Sequence, residues 1–168
     1  AWDEVITGAQ LLRADELQHS SAIFHTTLSL ARIAMRRGDK SSDQLFAQLE
    51  STINQGEDAR HISLYAILLA EKAFLVLASP DLAFKLMAQI QSMAVFPALK
   101  EQFFLWQKRL GKVPKYQSDH IFNNQFQLAL DGDWQGEAAA WAKICSPYHE
   151  ALALLEGDVT AKTSSLEI

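Results

Sequence analysis

The chain has 168 residues, 49% of them apolar and 21% charged, with only 7 glycines and 4 prolines. That length suits one domain with a proper core, and the composition argues against disorder and against a turn-rich β fold. A formal net charge of −5 leaves no cationic excess to neutralise phosphates, which argues against direct nucleic-acid contact.

The start, Ala1-Trp2-Asp3-Glu4-Val5, has no methionine, no positive region and no apolar run of the signal-peptide kind. The final Thr163-Ser164-Ser165-Leu166-Glu167-Ile168 stops without a natural tail, so a segment excised from a longer protein is expected. From Ala22 to Arg37 apolar residues recur at helical spacing and end in Arg36-Arg37-Gly38. Cations in a last turn and a glycine just beyond it are helix-stop signals. The next helix is expected from Ser42-Asp43 to Gln55-Gly56, with Leu45, Phe46, Leu49 and Ile53 on one face. His61 to Ala78 follows, then a break at Ser79-Pro80-Asp81 and a helix carrying Leu82, Phe84, Leu86, Met87 and Ile90. Here serine or aspartate supplies a cap and proline suits a first turn.

Phe96 to Leu110 reads as another helix, ended by Gly111, and Lys112-Val113-Pro114-Lys115 as the clearest loop, with a hinge expected near residues 111–118. Ile121 to Leu130 and Trp134 to Ile144 flank Asp131-Gly132-Asp133; Tyr148 to Leu155 and Val159 onward flank Glu156-Gly157-Asp158. The recurring element is helix, glycine or proline with aspartate, helix. Its aspartates, Asp39, Asp81, Asp133 and Asp158, lie about forty, about fifty and about twenty-five residues apart, a degenerate repeat. No stretch alternates with period two long enough to predict a strand. The expectation is an all-α fold over residues 1–168 as a single domain of antiparallel helical hairpins.

Residues with chemical potential are scattered. The five histidines, His19, His25, His61, His120 and His149, include no pair at i, i+4, so no metal site is predicted. Gly111-Lys112-Val113 lacks the Ser/Thr and the flexible glycines of a phosphate loop. Cys145 lies close to His149, but a lone thiol near a helix end is read as a packing residue, and it cannot close an internal disulfide. Asp119-His120 and the Asp131/Asp133 pair are read as helix caps rather than acid–base groups. No cofactor and no catalytic residue are expected. Arg32, Arg36, Arg37 and Arg60 with Lys72 form the one basic cluster, and most aromatics fall in the second half. Arg32, Arg36, Arg60, Lys72 and Trp106 are the candidates to line a groove for a ligand or partner, since arginine and aromatic anchors dominate such surfaces. With no run of about 18 apolar residues to span a bilayer, a cytoplasmic setting is expected.

The run Phe126-Gln127-Leu128-Ala129-Leu130-Asp131-Gly132-Asp133-Trp134-Gln135-Gly136-Glu137-Ala138-Ala139-Ala140-Trp141, continued by Ile144-Cys145-Ser146-Pro147-Tyr148-His149-Glu150-Ala151-Leu152-Ala153-Leu154, resembles the last part of the tetratricopeptide-like region in large ATP-binding bacterial regulators of the LuxR type. It departs from that pattern at Ser146 and His149, where glycine or cysteine and glutamate are usual. The resemblance implies a right-handed superhelix of stacked hairpins acting as a signal-sensing or protein-interaction arm. Its partner would be an inducer or another protein, in a chain whose ATPase and helix-turn-helix parts lie elsewhere. A stand-alone scaffold recruiting a peptide is the other reading, and self-association through exposed stacking faces is compatible with either.

Overall fold

The computed structural model describes residues 6–7, 20–54, 58–90, 97–114 and 122–168. Among these the regular elements are all helical: α1 (Ser20–Arg36), α2 (Ser41–Asn54), α3 (Ala59–Val76), α4 (Asp81–Ile90), α5 (Pro97–Arg109), α6 (Asn124–Asp131), α7 (Trp134–Lys143), α8 (Pro147–Leu155) and α9 (Val159–Ser164). The all-α expectation holds, and the predicted ends fall within a few residues of the observed ones. Residues 112–114 carry no helix; the rest of the expected hinge, like Gly56, Asp119 and the histidines at 19 and 120, lies outside the described residues.

The breaks owe their form to local hydrogen bonding. All four repeated aspartates stand at a helix start. Asp133 accepts from the Gly136 amide at 2.9 Å and Asp158 from the Ala161 amide at 2.9 Å. Asp39 accepts from the Ser41 amide at 2.8 Å, and Asp81 opens α4 with Ser79 Oγ donating to its carboxylate at 2.7 Å. Each bond satisfies or organises amides that a helix's first turn leaves bare. The stops at Gly38, Leu77, Gly111, Gly132 and Cys145 share a left-handed residue that returns amides to the last carbonyls, whereas α8 and α9 end on right-handed residues, Glu156 and Ser165. Gly38 and Gly132, at φ 69° and 82°, adopt the left-handed form without steric cost. Leu77 and Cys145 hold the same position at φ 52° and 56° despite their side chains. The amide after each still reaches back: Ala78 N–H to Ala73 O at 3.1 Å, and Ser146 N–H to Trp141 O at 3.0 Å.

Length alone predicts one domain; the contacts gather into two compact units, Ala1–Leu99 and Lys100–Ile168, whose boundary falls inside α5. In the first unit α1 packs with α2, α3 with α4, and α1 with α3. Phe24, Leu28, Ala31 and Met35 follow the spacing i, i+4, i+7, i+11 and so form one stripe of α1. That stripe is buried against Phe46 and Leu49 of α2 and Tyr65 and Leu68 of α3. Removing each large side chain of this set from water contributes about 1.5–3 kcal/mol. Burial, helped by the nearby Glu50 charge, pushes the Tyr65 hydroxyl up to about 12.

In the second unit α6 packs with α7, α7 with α8 and α8 with α9. Leu105, Phe122, Phe126, Ala129, Ala138, Trp141 and Ala153 make its core, and the rings of Phe126 and Trp141 meet edge to face at 5.6 Å. Gly157 permits a close approach here, because a Cβ at that position would stand 2.7 Å from Ala161 Cβ and 2.9 Å from the Trp134 ring.

Candidate functional site

On α1 the residues His25, Ser29, Arg32 and Arg36 repeat the i, i+4, i+7, i+11 spacing of the core stripe one residue later, about 100° around the helix. This places a polar stripe beside the apolar one. The stripe runs along α3. Arg36 Nε donates to Glu71 Oε1 at 2.6 Å, and Arg32 Nε lies 3.2 Å from Glu71 Oε2. The Glu71 side chain is only 2% exposed, while those of the two arginines are 30% and 21% exposed. A carboxylate taken out of water needs such partners, so the two guanidiniums neutralise it and at the same time tie α1 to α3.

At the other end of the stripe, His61 of α3 stacks on Phe24 with ring centroids 4.1 Å apart, and His25 meets His61 edge-on at 5.5 Å. Ser21 Oγ lies 3.3 Å from His61 Nε2, and Asp58 Oδ2 lies 3.7 Å from His61 Nδ1. The order serine, imidazole, carboxylate is that of a nucleophilic relay. At 3.7 Å, however, the carboxylate is beyond hydrogen-bond range of the ring. Its other oxygen accepts from the Arg60 and His61 amides at 2.8 and 3.3 Å. Asp58 therefore serves as the cap of α3, and the cluster fastens the first turn of α3 to α1. Burial, Arg60 and His61 lower the pKa of His25 below its ordinary 6.5, against the opposing pull of Asp58.

Lys72 reaches Asp43 of α2 at 3.1 Å and lies 4.2 Å from the centre of the Phe46 ring. Of the five expected groove residues, Arg32, Arg36, Arg60 and Lys72 thus belong to α1 and α3 of the first unit. Trp106 belongs to the second unit, where it is buried, 5.5 Å beneath the Arg109 guanidinium. On the far side of α1, a groove of about 370 Å³ runs between α1 and α2, lined among others by Ile6, Leu30, Ile33, Arg37, Leu45 and Gln48.

The second unit holds a polar node absent from the sequence reading. Arg109 at the end of α5, its side chain 1% exposed, donates from Nη2 to Glu137 Oε1 at 2.8 Å and from Nε to Glu156 Oε1 at 3.0 Å. Glu137 on α7, 0% exposed, also accepts from Trp141 Nε1 at 3.0 Å. Lys108 completes the node, donating to the Ala129 carbonyl and to Glu156 Oε2, the latter at 3.2 Å. Burial pushes the Glu137 carboxyl above its ordinary range, Glu156 adds to this, and Arg109, the Trp141 hydrogen bond and Lys108 oppose it. A third buried acid, Glu101 on α5, takes both the backbone and side-chain N–H of Asn123, at 2.9 and 2.6 Å. Each acid has apolar residues one turn away on its helix: Ile67 and Phe74 for Glu71, Phe104 and Leu105 for Glu101, Ala140 and Trp141 for Glu137. A lone acid at such a spacing was the available signal.

Cys145, read from sequence as a packing residue, is exposed at the left-handed position that ends α7. His149 pairs through Nδ1 with Ser146 Oγ at 2.9 Å and stacks on Trp141 at 4.5 Å. Asp131 accepts from Gln127 at 2.8 Å, and Asp133 is engaged as a cap. Among the described residues no group of three or more His, Cys, Asp or Glu is placed to hold a metal, and no helix is long and apolar enough to cross a membrane. Compared with known protein families, with curated proteins and with solved structures, the chain gives no match.

Proposed function

We propose that the chain is a binding module, a tetratricopeptide-like arm of a cytoplasmic LuxR-type bacterial regulator that engages an inducer or a partner protein. The observation that carries this reading is the α1–α3 face of the first unit. There a helix of each hairpin lies beside the other, and the polar stripe His25, Ser29, Arg32, Arg36 meets His61 and Glu71. Stacked hairpins touch mainly their neighbours, so the helix faces aligned along one side form an extended surface whose curvature shifts by small increments, and a ligand there biases a larger protein between states. The stripe offers donors on stiff elements, which is how such surfaces hold a carboxylate or peptide with little ordering cost. The resemblance of Phe126–Trp141 to the regulator repeat supports the same reading.

Site-specific photocrosslinking in cells tests it. A benzoylphenylalanine at Ser29, exposed within the stripe, is compared with one at Lys85, exposed on α4. The binding-module reading expects a discrete adduct from position 29 and none from position 85. Equal labelling at both, or none at either, contradicts it.

A further inference from the structure

The node around Arg109 and Glu137 leaves two valences over. Arg109 Nη1 and Glu137 Oε2 are both shut off from solvent and have no hydrogen-bond partner, although the other three polar atoms of the two side chains are engaged. A buried charged group left with an open valence keeps its full desolvation penalty, and native interiors satisfy nearly all such atoms. One atom is a donor and the other an acceptor, on side chains already joined at 2.8 Å. An anion suited to Nη1 would face the Glu137 carboxylate, and a cation suited to Oε2 would face the guanidinium. The ligand that fits is therefore neutral and both donates and accepts. Both side chains are at most 1% exposed, so the node is closed to bulk solvent, and water is the neutral donor and acceptor at hand when the fold closes.

We infer that the second unit holds an internal hydration site, one water that accepts from Arg109 Nη1 and donates to Glu137 Oε2. Buried waters of this kind make two to four hydrogen bonds to groups the chain cannot satisfy itself, and this one completes the link from α5 to α7. Its exchange is slow, because Trp106, Trp141 and the Lys108–Glu156 pair surround the node.

A crystal structure of the chain at about 1.5 Å, sharp enough to separate water from a shifted side chain, tests the site. The expected result is a density peak within hydrogen-bond distance of both atoms. Direct two-pronged contact between Arg109 and Glu137 with no peak, or a separate protein partner for each atom, overturns the inference. Oxygen-17 relaxation dispersion gives a second readout in solution. The wild-type chain should hold one more long-lived water than Arg109→Met/Glu137→Met, in which an apolar pair replaces the ion pair, and equal numbers in two folded proteins overturn the inference.

Discussion

Replacing Arg109 by methionine keeps most of the side-chain volume but removes the cation from an ion pair that, among the described residues, is the one with both side chains at most 1% exposed. Glu137 then keeps the hydrogen bond from Trp141 Nε1, and its carboxylate remains out of water. Breaking a buried pair from one side costs about 3–5 kcal/mol, most of it the stranded charge rather than the lost attraction. That is a large part of the stability of a small domain. The loss should depend on pH in a defined sense. The folded Glu137 carboxyl titrates above its ordinary 4.5 because burial disfavours the charge, and without Arg109 it rises further. A group with a raised folded pKa weakens the fold as pH climbs from the unfolded value through the folded one. The deficit of Arg109→Met is therefore greatest at neutral pH and shrinks on acidification. Urea unfolding followed by far-ultraviolet circular dichroism, at pH 7 and pH 5, measures both quantities. Arg109→Met/Glu137→Met should recover most of the loss, since an apolar pair of similar volume carries no desolvation cost. A loss below about 1 kcal/mol at pH 7, or a double variant no more stable than the single, refutes this account of the node.

Leu77 sits in the left-handed region with its side chain 92% exposed, so Leu77→Gly removes about 1–2 kcal/mol of backbone strain. It adds about 0.5–1 kcal/mol of unfolded-state entropy and loses little packing. A small rise in melting temperature is expected, and a fall would show that the leucine side chain stabilises the tip of the α3–α4 hairpin. His25 has its pKa lowered by burial, Arg60 and His61, so its neutral form is the one the fold prefers. Its contribution is complete above 6.5 and is lost as pH falls through the lower folded value. The urea midpoint of the wild type should therefore decline from pH 7.5 to pH 5 more steeply than that of His25→Gln, and parallel profiles would remove His25 from the titrating groups.

The helix order was legible because each break carries its own chemistry. Arg36-Arg37-Gly38, Ser79-Pro80-Asp81 and Asp131-Gly132-Asp133 announce stop and start within three residues, and the bonds of Asp39, Asp133 and Asp158 realise them. Two stops were harder to read, since Leu77 and Cys145 occupy positions where glycine is the usual sign. Cys145, which the sequence presents as a packing residue, is exposed at such a position, and the helical periodicity before it does not report that. The basic cluster was visible as residue types at helical spacing. Its acid was not, because Glu71 lies 35 residues from Arg36, and only the packing of α1 on α3 joins them. The same holds for Arg109, which meets partners 28 and 47 residues away. The division of contacts inside α5 left no mark in composition, since Pro97–Arg109 reads as one continuous helix.

The most direct test of the regulator reading is to translate the DNA on both sides of the coding segment in frame. A Walker-type phosphate loop upstream and a basic helix-turn-helix downstream are the predicted result. In-frame stops tight against both ends would contradict it and leave a free-standing repeat scaffold in its place.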